Sequence, residues 1–342
     1  MFNISIRREN SLAIDLGNDN TIISDKHDNT SSQPSYIAIE KSNKQVKAIG
    51  QEAYLMLGRA QERTKVLKPL KGGVIINYDS ANCMLKALVE HAHHKSSFFY
   101  AYDYVIAGIP FDTTEVERRA LRDALAQFKS SHTYLVFEPI AAALGMGLSL
   151  EEPDGKMLID IGGGITEIVV LSLSGVVSYT SLKIAGDTFN EDIQDHFRKV
   201  HNVTLGNKVA EEIKLKVGAV SVDISPAPET MQVIGKDLLT GLPKSIEIDH
   251  IEIADILDAS VQKIENAILQ TLEQCPPELA GDIYGNGLHL TGGSSLLRGL
   301  TQRLEKKTKL SVHQDSDPLQ SVIRGLSTII KSPKTFKHLM FK

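Results

Sequence analysis

The sequence predicts an α/β fold assembled from two related halves, and three observations carry that reading. Two apolar strands, in residues 12–23 and 158–170, each end in an aspartate, pass through a small turn and continue as a second strand with β-branched residues. Short apolar runs then alternate with stretches of helical periodicity along the rest of the chain. A further glycine turn, Thr291-Gly292-Gly293-Ser294-Ser295, follows a third apolar strand. A motif repeated at this distance implies two related half-molecules, each offering one hairpin to a shared cleft.

The hairpins carry the chemistry. The second reads Leu158-Ile159-Asp160-Ile161-Gly162-Gly163-Gly164-Ile165-Thr166 and the first Leu12-Ala13-Ile14-Asp15-Leu16-Gly17-Asn18-Asp19-Asn20-Thr21. Glycine permits positive φ and lets backbone N–H groups approach a ligand with no Cβ between. A phosphate suits such a turn, and an adjacent carboxylate can position a hydrated cation. One copy alone is equally an ordinary hairpin. Two copies, with Asp15 and Asp160 in the same place, point to a nucleotide gripped from both sides with the aspartates left for a metal.

Bulk composition sets bounds. A chain of 342 residues, 42% hydrophobic and 23% charged, supports two domains with real cores. Net charge of −5 argues against nucleic acid as a partner. Two cysteines, Cys83 and Cys275, give no disulfide framework and suggest a reducing compartment. No apolar run reaches the roughly 18 residues that span a bilayer, and the apolar core of residues 1–8 is too short for a signal peptide. The expectation is a soluble intracellular protein.

In chain order, residues 11–24 form the first hairpin, 25–34 a loop, and 36–39 a strand. A short helix is expected at 51–57 and a strand at 74–76, so residues 33–76 read as a small inserted subdomain. Helical spacing of Met84, Leu85, Leu88 and Val89 predicts a helix over 80–93, and the His91, His93 and His94 at its end read as a solvated cationic terminus, since i and i+2 positions do not face one another. Phe98 and Phe99 either begin the strand 104–110 or form an apolar finger that dips into a membrane surface. Thr114 and Glu117 predict a capping box for a helix over 114–128, with Val116, Ala120, Leu121, Ala124, Leu125 and Phe128 on its apolar face. Glu138 stands where strand 135–137 meets helix 140–146, a common place for reacting groups in α/β sheets and equally for a carboxylate at a helix dipole.

Beyond the second hairpin, 176–184 reads as a strand pair, and Gly186-Asp187 opens a helix burying Phe189, Ile193, Phe197 and Val200. A charged helix follows at 208–216, then strand-and-turn material over 219–250, and a long amphipathic helix over 252–272 stopped by Pro276-Pro277. Asp317-Pro318 is expected to cap a final helix running through Ile330. The lysine-rich tail 331–342, with Phe336, Leu339 and Phe341, reads as a mobile end.

The two aspartate hairpins together with Leu290-Thr291-Gly292-Gly293 resemble the phosphate and adenosine motifs of the actin superfamily. Residues 63–74, 108–121, 138–145, 160–173, 235–244 and 290–300 resemble the bacterial MreB group within it, and the likeness covers nearly the whole chain. The resemblance implies an actin-like two-lobed ATPase fold, with duplicated mixed five-stranded sheets, flanking helices and two small inserted subdomains. Lobe I would comprise 1–144 plus 318–342 with the insertion at about 33–76, and lobe II 145–317 with an insertion at about 186–250.

It also implies ATP and Mg²⁺ as cofactors. The phosphate turns would be Asn18, Asp19, Asn20 and Gly162, Gly163, Gly164, with Gly186 nearby. Glu211, Glu212, Ile213 and Lys214 would meet ribose and adenine, and Gly292, Gly293, Ser294 and Ser295 would seat the nucleoside. Asp15 and Asp160 would hold Mg²⁺ through water, and Glu138 would orient the attacking water. Members of the group polymerise with themselves into double protofilaments, peripheral at the inner face of the cytoplasmic membrane. There they work with cell-wall synthesis and morphogenesis membrane proteins to maintain rod shape, and Phe98 and Phe99 fall near the group's membrane loop.

Three positions depart from the pattern. Asn18 replaces a threonine, Glu212 an arginine, and Ile165 the first of two threonines after the glycines. An isoleucine neither donates nor accepts a hydrogen bond, so the expectation is ATP binding with slow hydrolysis. The competing expectations are a specialised paralogue that positions organelles or plasmids, and a small-molecule kinase of the same superfold.

Overall fold

The computed structural model describes residues 10–92 and 101–342. The chain divides into two compact units, residues 1–150 with 320–342 and residues 151–319.

The first unit is built on a five-stranded mixed sheet in the order Ser130–Phe137, Tyr102–Ile109, Asn10–Leu16, Asn20–Asp25, Thr30–Pro34. The last three strands run antiparallel as a meander, and the first two lie parallel to Asn10–Leu16. Central strands buried on both faces read as continuous apolar runs, as Leu12, Ala13 and Ile14 do. Residues 30–34, expected as loop, are the edge strand. Their Thr-Ser-Ser-Gln-Pro composition carries no apolar alternation because this edge is only half covered.

Helices Tyr78–Ala92 and Glu115–Leu125 cover one face of this sheet, burying Met84, Leu85, Leu88, Leu121 and Leu125 against Leu12, Ile14 and Val105. The capping box is present: Thr114 N donates to Glu117 Oε2 at 2.7 Å, and Glu117 N donates to Thr114 Oγ1. Val116 does not join the apolar face. It is 78% exposed, one residue after the first turn begins.

The other face carries two helices in close contact, Glu138–Gly145 and Ser321–Lys331. Glycine makes that contact possible. A Cβ on Gly145 would lie 1.8 Å from the Ser321 carbonyl oxygen, and one on Gly325 would lie 1.8 Å from that of Ala141. The final helix starts at Ser321 behind Gln320 and has no side-chain cap, so Asp317 does not play the capping role expected of it. The tail is also packed rather than loose. Phe341 bridges to Leu135 in antiparallel fashion, and its ring lies 4.5 Å from that of Phe137. Residues 37–67 form a small three-stranded sheet with the helix Gly50–Leu55 and a cluster of Tyr36, Ala38, Ala48 and Ala53.

The second unit repeats the plan. Its sheet runs Gly175–Leu182, Thr166–Ser172, Lys156–Ile161, Leu288–Thr291, Val312–Gln314. Again the hairpin and the third strand are antiparallel, and the remaining two are parallel to the hairpin's first strand. Duplication therefore extends from the hairpin to the whole sheet. Residues 176–184 give one strand, not two, because Gly175–Leu182 pairs along its length with the hairpin's second strand, with one register shift at Val170/Leu171.

Its core gathers Phe189, Ile193 and Phe197 from helix Gly186–Lys199, Ala210, Ile213 and Val217 from Asn207–Val217, and Ile253, Leu257, Val261, Ile264 and Ile268 from His250–Glu273. Val200, expected in that core, is 59% exposed because the helix has already ended. Asp249 caps the long helix, accepting from Glu252 N at 2.9 Å. Pro276-Pro277 ends it but also starts another helix, Pro277–Asn286, since proline suits a first turn. Strands Val203–Thr204, Met231–Asp237 and Pro243–Ile248 form a small antiparallel sheet. Among the described residues no helix is long and apolar enough to cross a membrane.

Candidate functional site

In the second unit, Asp160 pairs with Glu167 and Ile161 with Thr166, so residues 162–165 make the turn. Gly162 N closes it on Ile165 O at 3.0 Å. None of Gly162, Gly163 and Gly164 has positive φ, contrary to expectation. The approach at Gly162 is close instead: a Cβ there would sit a tight 3.3 Å from Ile165 O.

Two of the turn's carbonyls are engaged by neighbouring segments. Gly162 O accepts from Gly186 N at 3.2 Å and from Ser294 Oγ at 2.8 Å, and Gly163 O accepts from Asp187 N at 2.7 Å. The amides of Gly163 and Gly164 meet no acceptor among the described residues. Peptide dipoles pinned in this sense leave N–H groups facing outward, which is the arrangement an anion requires.

Gly186 is where four segments meet. A Cβ there would lie 3.0 Å from Ser294 Oγ, 3.1 Å from Lys214 Nζ and 3.3 Å from Gly163 Cα. Lys214 reaches this point from helix Asn207–Val217 although it is buried, donating to Gly186 O at 3.1 Å and to Glu211 Oε2 at 2.7 Å. Asn190 Nδ2 donates to the same Glu211 oxygen at 2.6 Å. Glu212 is half-buried, and Ile213 lies wholly within the hydrophobic core. Asn190 went unnoticed in the sequence. Its signal is position: four residues after Gly186, it shares that glycine's helical face.

Asp160 lies against the third glycine turn. Gly292, at φ 83°, would place a Cβ 2.3 Å from Asp160 Oδ1 and 2.4 Å from Ile161 O. Burial pushes the Asp160 carboxyl up to about 6. Gly293–Leu296 is a single 3-10 turn, not the start of a long helix, and Ser294 and Ser295 are both buried in it. Gln314 Nε2 donates to Ser295 O at 2.8 Å and fixes that turn from the edge strand.

The first unit shows the same register with different contents. Asp15 pairs with Ile22 and Leu16 with Thr21, leaving 17–20 as the turn. A Cβ on Gly17 would lie 2.6 Å from Asn20 O. Ser35 holds this turn: its Oγ donates to Gly17 O at 2.6 Å, and its N donates to Asp19 O at 2.7 Å. Asp19 is ion-paired with Lys68, whose ammonium sits 5.4 Å from the centroid of the Tyr36 ring. Ser35 and Lys68 were not singled out in the sequence, where a lone serine and a lone lysine carry no pattern.

Glu138 stands at the junction expected of it, with Phe137 as N-cap and Pro139 following. Gly108 gives it room, since a Cβ there would lie 3.1 Å from Glu138 Cγ. Phe98 and Phe99 lie outside the described residues.

Comparison with known proteins accords with this architecture. The cell shape-determining protein MreB of Escherichia coli (strain K12) is 38% identical over 323 residues, 92% of each chain. The cell shape-determining protein Mbl of Bacillus subtilis (strain 168) is 35% identical over 320 residues, covering 93% of this chain and 95% of its own. Crystal structures of MreB5 of Spiroplasma citri bound to ADP and to AMPPNP superpose with a TM-score of 0.90 at 31% identity, covering 96% of this chain and 98% of theirs. The MamK double helical filament structure matches at TM-score 0.77 and 18% identity over 94% of this chain and 99% of that one, a likeness of fold. The fold is actin-like. The family model described as MreB/Mbl protein matches residues 9–338, and the chain belongs to that family.

Proposed function

We propose that the chain binds an adenine nucleotide with Mg²⁺ and, in that state, polymerises with itself into membrane-associated double protofilaments that organise cell-wall synthesis and rod shape. The observation that carries the nucleotide reading is the meeting of Gly162, Gly163, Gly186, Lys214 and Ser294 in the second unit, with the amides of Gly163 and Gly164 uncommitted. These residues suit a nucleotide: bare backbone donors for phosphate lie beside Lys214 and Ser294 of the nucleoside elements, and a Cβ on Gly186 would fill the space. Relatives of the same fold crystallised with ADP and AMPPNP support it further.

In this reading the two hairpin turns, with Asn18, Asp19 and Asn20 in one and Gly162, Gly163 and Gly164 in the other, donate to phosphate oxygens. Glu211, Glu212 and Lys214 address the nucleoside, together with Gly292, Gly293, Ser294 and Ser295. Asp15 and Asp160 hold the hydrated Mg²⁺, which neutralises phosphate charge when bound. A carboxyl whose ionised form is penalised by burial, as in Asp160, fits a site where a cation is to restore that form. Glu138 orients water. Ile165 supplies no hydrogen bond to that water, so hydrolysis is slow. Thr166, the next residue, is buried and spends its hydroxyl on Ile184 O at 2.6 Å, so it does not substitute. Phe98 and Phe99 supply membrane contact.

The test is equilibrium binding of a fluorescent ADP analogue with MgCl₂ to the full chain, followed by sedimentation with ATP. Binding that is lost in Gly186→Val, with the fold retained by circular dichroism, is the expected result. Absence of any magnesium-dependent adenine nucleotide affinity in the unaltered chain overturns the proposal.

A further inference from the structure

At the far end of the helix that begins at Gly186, the second unit brings two imidazoles and a carboxylate to one point. His196 Nε2 lies 2.7 Å and His201 Nε2 2.6 Å from the same oxygen, Oε1 of Glu252. The three candidate ligand atoms lie within 4.8 Å of one another. No other such cluster of histidine, cysteine and carboxylate occurs among the described residues.

The local fold explains the convergence. On a continuous helix, residues five apart point in different directions. Helix Gly186–Lys199 ends before His201, and Asn202 at φ 56° turns the chain into strand Val203–Thr204. That turn brings the His201 ring back toward His196, with centroids 5.6 Å apart. The buried Phe197 ring, 5.0 Å from that of His201, backs it from the core. Glu252 comes from the first turn of helix His250–Glu273, where Asp249 fixes its backbone and the helix dipole favours an ionised carboxylate.

From this geometry we propose that His196, His201 and Glu252 form a site for a divalent transition-metal ion of borderline softness, Zn²⁺ being the natural occupant. Two imidazoles and one carboxylate are a zinc donor set, and the His-x₄-His spacing is one zinc sites use. A hard ion such as Mg²⁺ prefers oxygen ligands and is not suited to it. Hydrogen bonding alone leaves the cluster poorly used: both rings address Oε1, while Glu252 Oε2 and both Nδ1 atoms meet no protein partner among the described residues. Tetrahedral Zn²⁺ holds its ligand atoms roughly 3.3 Å apart. Opening the two present N···O contacts by well under 1 Å therefore seats the ion.

Each Nε2 then offers its lone pair, and the ring proton resides on Nδ1. Three protein ligands leave one position for water. The side chains are 25%, 22% and 29% exposed, so the ion has a path in from solvent. Bound there, it staples the end of helix Gly186–Lys199 to the start of His250–Glu273.

The experiment uses the full chain, stripped with EDTA and exchanged into chelator-free buffer. Zn²⁺ binding is followed by competition with a chromophoric chelator, and Co²⁺ by its visible spectrum. The expected result is one equivalent of Zn²⁺ at this site and a Co²⁺ spectrum of tetrahedral intensity. Both are lost in His196→Gln with His201→Gln, which keeps an N–H donor facing Glu252 but removes the ligands. Loss of a second-shell partner already costs 10–100-fold, so affinity should fall by on the order of 100-fold or more. Zn²⁺ should also raise the thermal midpoint of the unaltered chain and not that of the double variant, with metal-free midpoints agreeing. Unchanged stoichiometry in the double variant, as the histidines at 91, 93 and 94 could produce, overturns the proposal. So does failure of the unaltered chain to bind Zn²⁺.

Discussion

Replacing Asp160 by Asn should make the ligand-free protein more stable while abolishing its response to magnesium nucleotide. Burial raises this carboxyl from an ordinary 3.8 to about 6. At about 1.4 kcal/mol per pH unit, holding it ionised in the folded chain costs about 3 kcal/mol more than in the unfolded chain. The group's folded value lies above its unfolded value. Stability therefore falls as pH rises from about 4 to 6 and stays at its lower level above that.

Asparagine removes the charge with little change of shape. Asp160→Asn should gain up to about 3 kcal/mol at pH 7.5 and close to nothing at pH 4, a ceiling because part of the side chain reaches solvent. For a unit of this size that corresponds to roughly 5–10 °C in thermal midpoint. Differential scanning calorimetry at pH 7.5 and 4.5, with and without Mg²⁺ and ADP, reads both effects. A variant no more stable than the original at pH 7.5, or a difference that does not shrink on acidification, would refute the burial argument.

His289 should act in the opposite sense. Burial, then the neighbouring His313 and Lys156, lower it to about 4. Its stabilisation is full above pH 6.5 and is lost as pH falls toward 4, by up to about 3 kcal/mol. His289→Gln should flatten that acid limb in urea titrations, and the two groups should largely cancel between pH 4 and 6 in the unaltered chain. Gly325→Ala places a methyl 1.8 Å from the Ala141 oxygen and forces two helices apart, which should cost about 1–3 kcal/mol or more in thermal denaturation. Gly285→Ala, in a helix with open space around the new Cβ, should instead stabilise by about 0.5–1 kcal/mol. Ile165→Thr should raise phosphate release under polymerising conditions by about 10–100-fold; unchanged turnover assigns the slow step elsewhere.

What the sequence disclosed follows from how each signal is written. The hairpins were legible because apolar strands, an aspartate and a turn are contiguous. The sheet order was not, because the parallel neighbours of Asn10–Leu16 and Lys156–Ile161 arrive from distant segments. Thr30–Pro34 escaped notice because an edge strand need not show alternation. The tail reads as mobile because its lysines dominate its composition, whereas Phe341 bridges to Leu135, Leu339 is buried, and Phe336 and Met340 pack on the core. Asn190, Ser35 and Lys68 were invisible because a single polar residue has no period, and only tertiary placement gives it a partner.

The duplicated turns also differ in a way that the shared register makes interpretable. Both span four residues between equivalent strand pairs, Leu16–Thr21 and Ile161–Thr166. In the first, the carbonyls of Gly17 and Asp19 are engaged by Ser35, and the carboxylate of Asp19 is already neutralised by Lys68. In the second, three glycines replace those side chains, and the carbonyls are engaged by Gly186, Asp187 and Ser294. The two copies thus solve one problem, fixing peptide dipoles outward, by different means. Selection for hairpin stability alone gives no reason to tie back the carbonyls of both turns. A shared requirement for anion-facing amides does, and it predicts that Ser35→Ala and Ser294→Ala each weaken nucleotide affinity more than they lower thermal midpoint. Equal losses in both measurements, in either variant, would return that serine to a purely structural role.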